Sequence, residues 1–367
     1  MKIEIYTSVS GSTFWEGLSR GLVSRGFSVE IISVMDEDNY RCHKGFFANL
    51  IFRWNLYAGM SLRTQRQLRQ KVDESICRIV TTNPFFLPDL VRRRTPINSQ
   101  IRVVNFVLDL YPEALVLAGR RLGSKARLKL EGITSRAIRN CDASVFLGAH
   151  LQEYAINKYG PARETAIIPV GADARPFANH PPENVPASHP IRFLYCGHLG
   201  RMHEVEALAK LGQDEPIMGC EWLFQSTGPG IKALKHSWFQ LAGPLSQVEW
   251  PMAMKAAQVG VVTVRPGAEK VVMPSKTYSA LSAGQALLAI CPQDSDLAAL
   301  IHDHDCGWVV EPGDITGLRR QVQEICRDRE SLFEKRRNAF HVGQARYSSD
   351  EVAGCWANLV EKLFCDR

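Results

Sequence analysis

One interruption constrains this chain more than any single motif does. Between Arg175 and Pro190, five prolines (176, 181, 182, 186 and 190) break every hydrophobic period. The same order of local structure is written on both sides of it. Before the break, Lys2 to Thr7 reads as a buried strand, and Ser8-Val9-Ser10-Gly11-Ser12-Thr13 follows as a small-residue loop. A helix pattern then runs through Phe14, Leu18, Leu22 and Val23 to Gly26, with a strand at Val29 to Val34. After the break, Ile191 to Tyr195 restarts strand chemistry and runs into Cys196-Gly197-His198-Leu199-Gly200-Arg201. At 367 residues the chain exceeds one typical domain. The reading is therefore α/β, with domains at 1–175 and 191–345 facing across a cleft and 176–190 as linker. Residues 346–367 form a terminal amphipathic helix, with Val352, Trp356, Leu359, Val360 and Leu363 at helical spacing.

Open α/β sheets bind ligands at the carboxyl ends of their strands, so the loops there carry the candidate chemistry. Gly11 allows a close backbone approach, either to a ligand or to the neighbouring domain. No GxGxxG follows the first strand, which disfavours a dinucleotide site. The strand at Arg102 to Leu108 delivers Asp109-Leu110-Tyr111-Pro112-Glu113; Asp109 is either a placed carboxylate or the cap of the next helix. In the second half, Gly260 to Val264 is a strand, and Pro274-Ser275-Lys276-Thr277-Tyr278-Ser279 opens a helix that Gly284 stops. Ser275 is placed to cap it, with Lys276 in its first turn. Such a unit is either a phosphate-binding edge or an ordinary βαβ segment with a solvated lysine. Asp314 caps a further helix.

Charge is uneven. Residues 1–180 hold 25 Lys and Arg against 16 Asp and Glu, a net of +9, and the remainder nets −3. This implies an anionic partner for the first half (membrane surface, nucleic acid or acidic substrate), or else scattered solvated cations. The run Phe46 to Tyr57 followed by Arg63, Arg66, Arg69 and Lys71 reads as an interfacial helix on anionic lipid, or as a core helix with a basic flank. The basic residues are not interleaved with stacking aromatics, so nucleic acid is not expected. Ten cysteines without CxxC pairs, and a strand rather than a leader at the N-terminus, predict free thiols in a reducing cytoplasm. No run approaches the roughly 18 apolar residues of a spanning helix.

Taken in order, these motifs resemble the GT-B glycosyltransferases of family GT4, over almost the whole length. The pieces are Ser10-Gly11-Ser12, Asp109-Leu110-Tyr111-Pro112-Glu113, Ile168-Pro169-Val170-Gly171-Ala172-Asp173, Gly197-His198-Leu199-Gly200-Arg201, Thr227-Gly228-Pro229-Gly230, Pro274-Ser275-Lys276-Thr277-Tyr278 and Cys306-Gly307-Trp308-Val309-Val310-Glu311-Pro312-Gly313-Asp314. The Asp-Leu-Tyr-Pro piece looks like the subgroup acting in capsule, colanic-acid or O-antigen assembly. The resemblance implies two Rossmann-like domains with the C-terminal helix packing back on the first. It also implies a retaining, metal-independent hexosyl transfer in the cytoplasm, peripheral to the inner face of the membrane. A UDP- or GDP-sugar would be held by Gly11, Gly197, Gly200, Arg201, Gly228, Pro274, Ser275, Lys276, Tyr278 and Ser279. Asp109 would lie near the transferred sugar and a glycan or polyprenyl-linked acceptor. No cofactor and no metal site are expected.

The chain also departs from that pattern. The family commonly carries two glutamates eight positions apart, where this sequence has Val271 and Ser279; Glu269 stands nearby in a different register. Ala207 occupies a position where a lysine is common. A carboxylate accepts from two ribose hydroxyls, whereas Ser279 offers one short hydroxyl. The alternatives are a non-catalytic scaffold of the same fold in a polysaccharide assembly complex, or other sugar-nucleotide chemistry such as epimerisation.

Overall fold

The computed structural model describes residues 1–36, 55–69, 75–96 and 100–365. The chain forms two compact units, one of Met1–Pro169 with Ser349–Arg367 and one of Val170–Ser348. Each is built on a six-stranded parallel sheet. The first sheet contains β1 (Lys2–Tyr6), β2 (Ser28–Ile32), β3 (Ile76–Thr81), β4 (Ile101–Phe106), β5 (Ala143–Phe146) and β6 (Thr165–Ile167), in the spatial order β2-β1-β3-β4-β5-β6. The second contains β7 (Ile191–His198), β8 (Cys220–Thr227), β9 (Gln240–Ala242), β10 (Val259–Thr263), β11 (Ala286–Ile290) and β12 (Gly307–Val310), ordered β9-β8-β7-β10-β11-β12. Strands buried on both faces explain the continuous apolar runs Val259–Thr263 and Ala286–Ile290, every residue of which is buried.

Both sheets reverse strand order beside their first strand, between β1 and β3 and between β7 and β10. At such a switch point the flanking loops diverge and leave a crevice beyond the carboxyl ends. Helices cover the faces, among them α1 (Thr13–Val23), α2 (Leu87–Arg94), α3 (Ser124–Asn140), α4 (Lys276–Ser282), α5 (Arg329–Ala345) and α6 (Ser349–Cys365). The second core is mainly aliphatic with an aromatic stack within it: Phe193 stacks on Trp222 at 4.7 Å, and Trp222 on Phe239 at 5.0 Å.

The terminal helix α6 returns to the first unit, as its apolar spacing requires. Trp356 is fully buried, edge-on to Phe106 at 5.0 Å, and Arg25 pairs with Asp350 at 2.8 Å. Two glycines of α1 make this approach possible, because a Cβ at Gly17 or Gly21 would come within 2.4 Å of Ser349 Oγ or 2.5 Å of Ala353 Cβ.

The proline-rich segment is not a bare linker: it belongs to the second unit. Phe177 is fully buried against Trp250, and Arg336 of α5 donates from Nη1 to the Glu183 carbonyl at 2.6 Å. Its prolines remove periodicity, not packing. Of the aromatic and basic stretch 46–71, residues 46–54, 70 and 71 lie outside the described residues. In the described part Met60 is buried while Leu62 faces outward, 52% exposed.

Candidate functional site

A polar construction of the second unit stands at its switch point. β7 ends in Gly197 and His198, β8 in Thr227, and β10 in Thr263, and α4 begins at Lys276. Lys276 reaches back over Tyr195 of β7, its ammonium 3.8 Å from the ring centroid and hydrogen-bonded to the phenol oxygen. Gly197, with φ of +125°, lies alongside; a Cβ there would touch Lys276 Cε at 3.9 Å. Among the described residues no carboxylate pairs with Lys276. Burial therefore lowers its pKa from 10.5 to about 7, since the charged form has lost water without gaining a counter-ion.

Two histidines complete the edge, and sequence reasoning gave neither a role. His198 lies against Thr227, Nδ1 to Oγ1 at 3.3 Å, enclosed by glycines. A Cβ at Gly228 would fall 2.7 Å from His198 Cε1 and from the Leu199 carbonyl, and one at Gly200 would fall 2.9 Å from His198 Cδ2. Gly228 also has φ of +106°, so both conformation and space demand glycine. His203 sits 2.9 Å from the Thr263 carbonyl through Nδ1, which makes that nitrogen the N–H donor. Burial and then the Lys276 charge push its pKa down to about 3, so it is neutral. The signal available in the sequence was position: both histidines fall in the loop after β7.

Lys276 and Ser279, one helical turn apart, line a pocket of about 60 Å³ with Cys196, Trp250, Met254 and Gln285. The Ser279 hydroxyl has no hydrogen-bond partner among the described residues. Close packing of α4 on β10 fixes this geometry: a Cβ at Gly260 would lie 2.8 Å from Ala280 Cβ. Pro274 forms the turn into α4, its carbonyl accepting from Thr277 N at 3.1 Å.

Other expected members are placed differently. Ser275 does not cap the helix: its backbone is already helical (φ −61°, ψ −27°) and its side chain makes no capping bond. Tyr278 is 1% exposed and packs on Tyr347 at 5.1 Å, so its side chain belongs to the core, not to the pocket. Arg201 is exposed on the loop after β7, its carbonyl accepting from Arg265 Nη1 at 3.4 Å. Ala207 and Val271 are both buried, while Glu269 is 6% exposed with Oε2 lacking a hydrogen-bond partner among the described residues. Asp314 caps its helix as expected, accepting from Gly317 N at 2.8 Å.

Gly11 and Asp109 lie in the first unit. Gly11 has φ of +77° and precedes Ser12, the cap of α1. Asp109 follows β4 in a loop held by Thr82, whose hydroxyl donates to the Asp109 carbonyl at 2.9 Å and accepts from Asp109 N at 3.1 Å. The next helix is entered through Pro112, so the capping alternative for Asp109 falls away. Its carboxyl has no hydrogen-bond or ion partner among the described residues, and burial raises its pKa from 3.8 to about 6. At the carboxyl end of β4, a half-buried carboxyl so poised is a base or acid candidate.

No family model matches the chain. It is 25% identical over 280 residues to the probable glycosyltransferase WbjE of Pseudomonas aeruginosa, covering 71% of this chain and 69% of that one. Sucrose-phosphate synthase of Thermosynechococcus elongatus superimposes with a TM-score of 0.73 at 15% identity, over 100% of both chains. HepE of Anabaena, solved with UDP and glucose, gives a TM-score of 0.66 at 11% identity, over 99% of this chain and 100% of that one. These structural likenesses show the fold: α/β with parallel sheets, matching structures of the GT-B kind over the full chain.

Proposed function

We propose that this chain is a retaining, metal-independent glycosyltransferase of the GT4 type. It moves a hexosyl unit from a UDP- or GDP-sugar to a glycan or polyprenyl-linked acceptor in bacterial surface-polysaccharide synthesis, as a cytoplasmic protein peripheral to the membrane. The observation that carries this reading is Lys276: a half-buried amine at a switch point, clamped on an aromatic ring and without a counter-anion among the described residues. A diphosphate supplies the missing charge. Binding it restores the ammonium, and the same cation then meets the charge that grows on the phosphate oxygen as the glycosidic bond breaks. Gly197, Gly200 and Gly228 let backbone approach the phosphates, with Arg201 on the same loop.

The likeness to WbjE and the UDP held by HepE support a nucleotide-sugar donor. Ser279, on the pocket beside Lys276, takes the place from which the nucleotide ribose is met, with one hydroxyl in place of a carboxylate. In the first unit Asp109 orients or deprotonates the acceptor hydroxyl. The test is a thermal-shift and donor-hydrolysis screen over UDP, GDP and their sugars. Stabilisation by one nucleoside diphosphate, lost in Lys276→Ala together with about 10²–10³ of the turnover, is expected. No response to any of them sinks the reading.

A further inference from the structure

The first unit carries a second construction that the donor site does not use. Between Glu113 and Glu131 the chain holds Arg120, Arg121, Lys125, Arg127 and Lys129 and no acidic residue. These cations occupy an exposed turn and the first half of α3, whose residues Ser124 to Lys129 all face solvent. Apolar side chains stand among them: Leu128 is 68% exposed and Val116 47%. Beside this patch, α2 and α3 enclose an open groove of about 460 Å³, with Phe86, Leu90, Leu128 and Ile133 on its walls. Its rim carries Arg93, Lys129 and Arg136. The one acid there, Asp89, is already engaged by Arg136 through two bonds of 3.1 and 3.2 Å, with Arg93 at 3.8 Å. The rim thus keeps a net positive charge.

We propose that this groove and the basic half of α3 are the docking site for an anionic phospholipid bilayer, with the groove receiving the apolar part of one lipid and Arg93, Lys125 and Lys129 its phosphate. The inference deepens the peripheral-membrane part of the function above and gives it a surface other than the Phe46 to Lys71 stretch. Cations alone fit any polyanion. An apolar groove with a leucine exposed beside Arg120, Arg121, Lys125 and Lys129, Arg127 being paired with Glu131 at 3.0 Å, gains nothing from a nucleic acid backbone, but it gains from hydrocarbon lying under phosphate.

Flotation with vesicles of phosphatidylglycerol and phosphatidylcholine against pure phosphatidylcholine tests this on the full chain. Wild type should float with the anionic vesicles alone, and release in high salt. Lys125→Glu/Lys129→Glu should bind at least tenfold more weakly, and Leu128→Glu should also lose binding. All three positions are exposed, so folding is checked by circular dichroism and by UDP-induced stabilisation, which these variants should keep. Flotation unchanged in the variants overturns the proposal. So does the absence of anionic-vesicle binding, or displacement of the vesicles by an equimolar short RNA. Failure of UDP stabilisation in wild type would count against the glycosyltransferase reading and leave the lipid result standing.

Discussion

Lys276 and Asp109 are each held at a cost in charge, and in opposite senses. Lys276 has its pKa lowered to about 7, so between pH 7 and 10.5 the unfolded chain binds a proton that the folded one lacks. Its linkage makes the fold more stable as pH rises through that window, and protonation below about 7 removes the gain. A diphosphate bound there, as proposed, would raise the pKa again. Calorimetry at pH 8 in buffers of differing ionisation enthalpy should therefore show proton uptake on UDP binding, and Lys276→Arg should abolish the uptake while retaining affinity. Asp109 has its pKa raised from 3.8 to about 6, so its stabilising contribution is complete below 3.8 and lost as pH rises through 6. Asp109→Asn should accordingly raise the melting temperature at pH 7–8. The same variant should lower transfer by about 10²–10⁴ and leave UDP binding intact. An acid limb in the wild-type rate near pH 6 is the companion measurement.

At the scale of elements, α4 is placed by contacts that no side-chain motif announces. A Cβ at Gly343 of α5 would lie 2.6 Å from backbone atoms of Leu281 and Ser282, so the two helices touch backbone to backbone. Gly343→Ala should cost about 1–3 kcal/mol of stability in urea unfolding and weaken UDP binding as Lys276 shifts. Gly243→Ala, with nothing near its Cβ, should be neutral. The alternation of strand, glycine loop and helix was legible in the sequence because fully buried strands and glycine stops write themselves in the letters. The same letters put Gly197, Gly228 and Lys276 at the carboxyl end of the second sheet, where the structure has them. Tyr278 and Ser275 were misplaced because burial and local turn geometry depend on partners distant in sequence, Tyr347 among them. His198 and His203 went unassigned because a histidine's role is set by the carbonyl or hydroxyl it meets, and spacing carries no record of that.

For the whole molecule, the chain leaves the first unit after Pro169 and re-enters it at Ser349. The second unit is thus an insertion in the first. Truncation after Ser348 removes α6, uncovering Phe106 and the Gly17–Gly21 face of α1 while taking nothing from the second unit. Limited proteolysis of that truncated chain should digest the first unit and spare residues 170–348, which should still be stabilised by UDP. If the first unit instead resists cleavage as in the intact protein, α6 is not part of its core.

That insertion also dictates an order in time. A ribosome makes residues 170–348 before Ser349, so every strand of the second sheet is synthesised while the first unit still lacks the helix that closes it. The strands of the first unit are translated before those of the second, yet the first unit is completed after it. During that interval the glycine face of α1 is uncovered, and α6, made afterwards, is what shields it.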